Sequence, residues 1–417
     1  MKIHLPAIAG LVLAFLLSSC SSGKKTIRRL DGSSVDKTEF TKSVNTLIQK
    51  AQVHGLGLVV FNDDRAVYEK HFGYKRRDTC SPWTDTTNIY GASLSKAVFV
   101  VLVMQLVEEG VLDLDTPLET YLDKKIYEYE PRTRWHDNYS DLRSDSLYHK
   151  ITARMCLTHT AGFPNWRWIM PDRKLRVLFE PGTRYSYSGE GLTYLQVVLE
   201  TMTGKNLETL AQERIFRPLG MAHSSYRWQP SFEGDFAYGH ARTGAIYPKD
   251  KDNEPRGAST METTLRDYRR FLEAVLQGKL LSAASYEELF ATQVRIRSIR
   301  QFGPLSQRDS TRNDAIRLGY GLGWGVFQSP HGKGVFKEGH GDGFQHYFVL
   351  FPEAGIGILM MTNSDNGESI FKELLEISIG DVYSPTEWNN YIPYQGLSSN
   401  RPSILSRGTA PEFPGIS

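Results

Sequence analysis

The stretch Gly91-Ala-Ser-Leu-Ser-Lys96-Ala-Val-Phe-Val-Val-Leu-Val-Met104 decides how the rest of the chain is read. From Ala97 to Met104 every face of a helix is apolar, which predicts a helix over about 93–109 enclosed by the body. Gly110, just after the last turn, stops it. At its head Ser93 and Lys96 are spaced i, i+3, which sets hydroxyl and amine on one face, one turn apart. A helix N-terminus presents free N–H groups. A buried lysine loses its proton readily because desolvation disfavours the ammonium, and a serine needs such a base to become a nucleophile. The same S-x-x-K tetrad starts at Ser21, Ser22, Ser34 and Ser369, where nothing resembles this setting. Taken alone, the tetrad reads rather as an N-cap serine beside a snorkelling lysine.

Outward from that helix the chain alternates between the two periods. A helical period runs through Phe40, Val44, Leu47 and Ile48. Gly55 to Phe61 and Ala66 to Phe72, joined by Asn62-Asp-Asp64, read as an antiparallel hairpin. Thr152 to Tyr226 gives helical segments broken by Gly and Pro, and another helix fits Leu265–Leu276. Residues 123–150 read as a surface excursion, and the 294–313 stretch, with Arg295, Arg297, Arg300, Arg308 and Arg312, as a solvated loop. Strands return at 321–327, 334–337, 344–351 and 356–362, the last two joined by Pro352-Glu-Ala-Gly355. A helix fits Ser369–Ile377. After Tyr383 a Pro/Ser/Asn-rich tail is expected to be loosely attached. The fold class is therefore α+β, an antiparallel sheet packed with helices. The body is expected over 40–384, with a mostly helical insertion at about 110–240 and a tail at 385–417.

Composition sets the class of partner. The 417 residues are 40% hydrophobic, with 49 basic and 47 acidic side chains and no dominant basic block, so neither nucleic acid nor an anionic membrane surface is indicated as a partner. Leu5 to Leu17 is a nearly unbroken apolar stretch, shorter than the ~20 residues a span needs. It ends in Leu17-Ser-Ser-Cys20, which resembles a bacterial lipobox. The reading is a leader at 1–19, lipidation at Cys20, a polar linker at 20–39, and a body tethered to the cell envelope. Ser21 fits sorting to the outer membrane of a two-membrane bacterium. An ordinary secretory leader with a chance cysteine is the alternative. Cys156 lies in an apolar setting and reads as core. A bridge between Cys80 and Cys156 is permitted but not required. No spacing suggests a metal, and no cofactor is implied.

Two further motifs follow Ser93-Leu-Ser-Lys96 in order: Tyr187-Ser188-Gly189, within Pro181 to Gly189, and Lys337-Glu338-Gly339. This trio resembles the serine β-lactamase and penicillin-binding protein superfamily, closest to its class C branch with related esterases and D-peptidases. Leu157 to Gly162, Arg217 to Met221, Tyr320 to Trp324 and Gly343-Phe344 support the likeness, which covers about 40–380. The resemblance implies an antiparallel sheet, an inserted helical subdomain and a site between them. It implies Ser93 as nucleophile, Lys96 and Tyr187 as shared general base, and Lys337 at the cleft edge. The backbone N–H groups of Ser93 and His340 would form the oxyanion hole. A monomer acting on a small ester, an amide or a peptidoglycan-derived substrate is expected.

Two positions depart from the family pattern. Gly189, followed by Glu190, stands where an asparagine usually holds the substrate amide. Glu338 stands where Thr or Ser helps bind a carboxylate. Because neighbouring strand residues face opposite ways, Lys337 and Glu338 are not expected to project inward together. An esterase-like hydrolase is thus favoured over a β-lactamase or D-peptidase. A catalytically weak lipoprotein that binds cell-wall fragments is the alternative. His159, His340 and His346 are not read as bases. Trp166 and Trp168 read equally as cleft rim or as packing.

Overall fold

The computed structural model describes residues 25–396 apart from 135 and 252. Cys20 and its leader lie outside the described residues. The first elements are a hairpin, β1 (Thr26–Arg28) and β2 (Ser34–Asp36), paired Ile27↔Val35. Ile27 is fully buried, and the Arg28 N–H donates to Asn62 Oδ1 at 2.8 Å. The later part of the expected linker is therefore folded, because one apolar side chain and a strand-like pairing anchor it. Asp36 then caps α1 (Lys37–Ala51), accepting from the N–H groups of Thr38 and Glu39 at 2.7 and 3.2 Å.

Next come β3 (Gly55–Asn62), β4 (Arg65–Arg76), β5 (Ser81–Pro82), β6 (Ile89–Tyr90) and α2 (Leu94–Glu108). The insertion holds α3 (Ala153–Leu157), α4 (Gly189–Thr203) and α5 (Leu207–Ala211), joined by 3₁₀ turns and irregular chain. After it follow β7 (Glu262–Thr263), α6 (Leu265–Leu276), α7 (Ala283–Phe290), β8 (Val294–Arg295) and β9 (Gly319–Tyr320). The chain then runs through β10 (Gly325–Ser329), β11 (Gly332–Gly341), β12 (Phe344–Phe351), β13 (Ile356–Thr362) and α8 (Phe371–Ile379). The single strand expected over 321–327 is instead a turn followed by β10. Gly323 takes a φ of +74°, and the Gly321 N–H donates to the Trp324 carbonyl at 2.8 Å.

Among the described residues the main sheet has nine strands in the order β5-β4-β3-β13-β12-β11-β10-β9-β8, antiparallel throughout. Both faces are covered. Val59, Phe61, Phe348, Leu359 and Met361 pack in the layer of α2 and α6. Leu58, Val60, Val349, Ile358 and Met360 pack with α1 and α8. This double burial explains why the central strands read as nearly continuous apolar runs rather than alternating ones. In α2, Ala97 to Met104 are all buried, as a helix apolar on every face requires.

The start of the tail is attached rather than loose. Trp388 is buried, its indole N–H donates to Ser298 Oγ at 3.0 Å, and its ring lies 6.1 Å from that of Tyr185. The Gln301 N–H donates to the Trp388 carbonyl at 2.8 Å, which ties the tail to the 294–313 loop. A Trp388→Ala variant is expected to lose ~3–5 kcal/mol of stability. Urea denaturation measures this, and an unchanged midpoint would mean the tail does not hold the loop.

Candidate active site

Ser93 sits at the turn from β6 into α2. β6 pairs with β7 through Tyr90↔Glu262, and the Gly91 N–H donates to the Met261 carbonyl at 2.7 Å. Ala92 is then forced to a φ of +46°, a conformation a Cβ-bearing residue rarely adopts and one that costs ~1–3 kcal/mol. The sharp turn leaves Ser93 half-buried, with no hydrogen-bond partner for its backbone N–H among the described residues. One turn on, Lys96 is buried, and its Nζ donates to Ser93 Oγ at 2.9 Å and to the Ala258 carbonyl at 2.5 Å. Burial, reinforced by the charge of Lys337, pulls its pKa well below the ordinary lysine value.

Tyr187 arrives from the start of α4. Ser188 caps that helix, accepting from the Gly191 N–H at 2.9 Å and donating its hydroxyl to the Pro164 carbonyl at 2.8 Å. The Ser188 N–H donates to His159 Nδ1 at 3.1 Å, and the imidazole lies 4.3 Å from the Tyr187 ring. Burial keeps His159 neutral, so it props the tyrosine without carrying charge. The Tyr187 phenol meets Ser93, and Lys337 Nζ donates to it at 3.3 Å. Burial and then the charge of Glu338 push the phenol well above its ordinary pKa, so it stays protonated at rest. Lys96 is accordingly the group held ready to accept a proton.

β11 brings the third motif alongside. A Cβ on Gly339 would meet the Gly91 carbonyl at 3.1 Å and Leu94 at 3.3 Å, so its glycine lets the strand lie against the nucleophile turn. Lys337 and Glu338 do meet, against the expectation from strand alternation: Nζ donates to Oε1 at 2.8 Å, with both residues buried. The reason lies in the register. β10 pairs with β11 only as far as Gly325↔Phe336, so no β10 backbone lies beside Lys337 and Glu338, and Gln301 of the 294–313 loop meets Glu338 instead. Gln301 Nε2 donates to the same oxygen at 2.7 Å, while Glu338 Oε2 has no partner among the described residues. Burial opposes the charge on Glu338, but Lys337 and Gln301 hold its carboxyl below the usual range. His340, one residue beyond Gly339, has its Nε2 3.1 Å from Glu368 Oε2. His346 Nε2 instead donates to the Tyr90 carbonyl at 2.8 Å.

Gly189 is not an empty place. A Cβ there would meet the Trp166 indole at 2.5 Å, and Trp166 stacks on Trp168 with ring centroids 4.5 Å apart. Glu190 forms a buried pair with Arg167, whose Nη2 donates at 2.8 Å to Oε2 and whose backbone N–H donates at 2.8 Å to Oε1. That pair fastens the tryptophan loop onto the first turn of α4. Sequence reading missed Gln301, Trp388 and this pair, because each acts across a long chain separation with no local spacing to betray it. Phe302, 5.2 Å from the Tyr187 ring, adds a wall from the same loop. Cys80 and Cys156 are both free, one exposed and one buried. No group of residues suited to a metal occurs among the described residues.

Residues 40–377 match the protein family described as Beta-lactamase. The chain is 23% identical over 381 residues to "Penicillin-binding protein 4*" of Bacillus subtilis (strain 168), covering 82% of this chain and 76% of the relative. It is 24% identical over 327 residues to "D-alanyl-D-alanine-carboxypeptidase/endopeptidase AmpH" of Escherichia coli (strain K12), covering 74% and 78%. Its fold is similar to that of "EstCE1, a hydrolase with promiscuous acyltransferase activity", with a TM-score of 0.65 at 18% identity, covering 82% and 98%.

Removing the charge of Glu338 should leave Lys337 buried and unpaired. Glu338→Gln is expected to cost ~3 kcal/mol. Glu338→Gln with Lys337→Met should recover most of that loss. Chemical denaturation of both variants tests the coupling, and equal midpoints for Glu338→Gln and the unaltered protein would show that the pair is not held as described.

Proposed function

The chain belongs to the β-lactamase family and is a serine hydrolase, and from this we propose an acyl-enzyme mechanism at Ser93 acting on short, uncharged acyl esters. The observation that carries the reading is the buried Lys96 amine 2.9 Å from Ser93 Oγ. In its neutral form it takes the hydroxyl proton as Oγ attacks the acyl carbon. Tyr187, protonated at rest and touching both Ser93 and Lys337, passes a proton to the leaving oxygen and later helps activate water. The N–H groups of Ser93 and His340 receive the oxyanion; one such donor is worth ~10²–10³ in rate. The closely packed Gly339 keeps those two segments together.

The preference for uncharged esters rests on the Lys337–Glu338 pair. With its ammonium engaged by Glu338, Lys337 offers no free charge to a substrate carboxylate. The paired carboxylate cancels the attraction that a bare Lys337 would give a substrate carboxylate, about 4 kcal/mol at ~4 Å and an effective dielectric of ~20. The Trp166 indole beside Gly189 replaces a polar amide anchor with an apolar wall, which an ester tolerates better. A purely binding role accounts for neither the depressed lysine nor the intact Ser93, Lys96, Tyr187 and Lys337. We place the protein at the cell envelope on a lipid attached to Cys20, a reading supported by the leader sequence alone.

Labelling with a fluorophosphonate probe should be confined to Ser93 and vanish in Ser93→Ala. Lys96→Ala and Tyr187→Phe should each slow acylation by ~10²–10⁴. Activity should fall as pH drops through the depressed Lys96 pKa, because the ammonium cannot accept a proton. Glu338→Gln should move that acid limb to lower pH, since the carboxylate favours the ammonium. Uncharged p-nitrophenyl butyrate should be cleaved and benzylpenicillin hydrolysed weakly or not at all. Gly189→Asn needs Trp166→Ala beside it to fit, and with Glu338→Thr the set should raise the penicillin rate. Efficient penicillin hydrolysis by the unaltered protein would overturn the substrate assignment, and labelling that persists in Ser93→Ala would overturn the nucleophile. Cys20→Ala should release the protein from the membrane fraction on fractionation, and normal retention would remove the anchor.

A further inference from the structure

A second cleft, of about 1030 Å³, opens away from Ser93 between the end of α1, the start of β3 and the 241–244 turn. Lys50, Arg77 and Arg242 line it, and none of its lining residues is acidic. None of Ser93, Lys96, Tyr187 and Lys337 lines it. A volume of this order is large enough for a substantial small-molecule ligand.

The cations are arranged rather than merely present. His54, buried in the floor, accepts a hydrogen bond at Nδ1 from Arg77 Nη1 at 3.0 Å and donates from Nε2 to the Ala241 carbonyl at 3.2 Å. One neutral imidazole thereby fixes both the Arg77 guanidinium and the turn that carries Arg242. Burial lowers the His54 pKa to about 4, which keeps that double role at neutral pH. The Arg77 N–H is held in turn by His240 Nε2 at 3.1 Å. Arg76, next in sequence, spends its guanidinium on both oxygens of Asp78 at 2.8 and 2.9 Å, whereas Arg77 forms no ion pair among the described residues. Arg242 Nη1 is buried with no hydrogen-bond partner among them.

Asp365 lies outside the lining of the cleft but close enough to feel the charge of Arg242, and its oxygens are already engaged. Asp365 accepts from the Tyr247 hydroxyl at 2.7 Å and from the Gly343 N–H at 2.9 Å. Carbonyls at the end of α1 are taken by the N–H groups of Gln52 and Val53 and by the Asn366 side chain. Residues beyond 396 carry Arg401 and Arg407 against Glu412, so their charge does not complement the cleft.

We propose that this cleft binds a phosphate-bearing ligand, gripped by the guanidinium forks of Arg77 and Arg242 with Lys50 at the rim. Three cations with no acid among the lining residues call for more than one negative charge in a small volume, which phosphate supplies and arginine forks match in geometry. The ligand is a soluble phosphate compound or the headgroup of an anionic lipid, and the test separates them. Calorimetry on the purified protein with inorganic pyrophosphate should show saturable binding that weakens as sodium chloride is added. Arg242→Ala should weaken it about tenfold or more while cleavage of p-nitrophenyl butyrate and the melting temperature stay unchanged, and Arg77→Ala with Arg242→Ala should weaken it further with cleavage unchanged. Sedimentation with phosphatidylglycerol vesicles is the second arm, using protein with Cys20→Ala to remove any lipid tether. Binding to vesicles without binding to pyrophosphate assigns the lipid headgroup. Absence of both, or equal binding by the double variant, overturns the proposal.

Discussion

Lys96 lies in the first turn of a helix that is apolar on every face, and its amine has two polar neighbours, the Ser93 hydroxyl and the Ala258 carbonyl. Neither carries a charge, so burial is the first influence on its protonation, with the nearby Lys337 charge adding to it. Much of the remaining architecture serves that placement. α2 must run through the middle of the body to be enclosed, which requires a sheet on one side and the inserted region on the other. Ala92 must adopt a left-handed backbone to aim Ser93 out of that interior, and β11 must carry a glycine to come alongside. A surface helix with the same tetrad would leave its lysine solvated and protonated.

The second charged layer balances the first. Lys337 is buried near Lys96 and would, left alone, add an unneutralised charge to the same small volume. Glu338 neutralises it at a distance of 2.8 Å, and Gln301 satisfies part of the carboxylate. Trp388 in turn holds the loop that carries Gln301. The tail, the arginine-rich loop and the cleft edge thus form one mechanical chain, although they lie far apart in sequence.

Local signals were legible where one element answers to its own period. α6 runs over Leu265–Leu276 as its apolar spacing implies, and β12 and β13 keep their expected limits. Ser93, Lys96, Tyr187 and Lys337 are brought together as the three motifs suggest. Less was legible where a distant segment decides the outcome. Strand alternation argued that Lys337 and Glu338 part ways, but the two side chains meet just beyond the last β10 pairing. Gly189 reads in sequence as a missing side chain, but Trp166 fills its place. Ile27 and Trp388, single apolar residues in polar stretches, were enough to fold segments that composition marked as linker and tail.

The centre of the sheet joins β3, from the first part of the chain, to β13, from near its end, with Leu58 opposite Met360. Almost everything the site uses lies between those two strands. Loop-closure entropy must be met before that pairing contributes any contact, so assembly of the sheet is topologically slow. A nascent chain therefore cannot complete the catalytic arrangement until its last strand is available. Newly made protein has an interval in which the apolar α2 is uncovered and the serine is not yet a nucleophile, and that interval is when aggregation competes most strongly with folding.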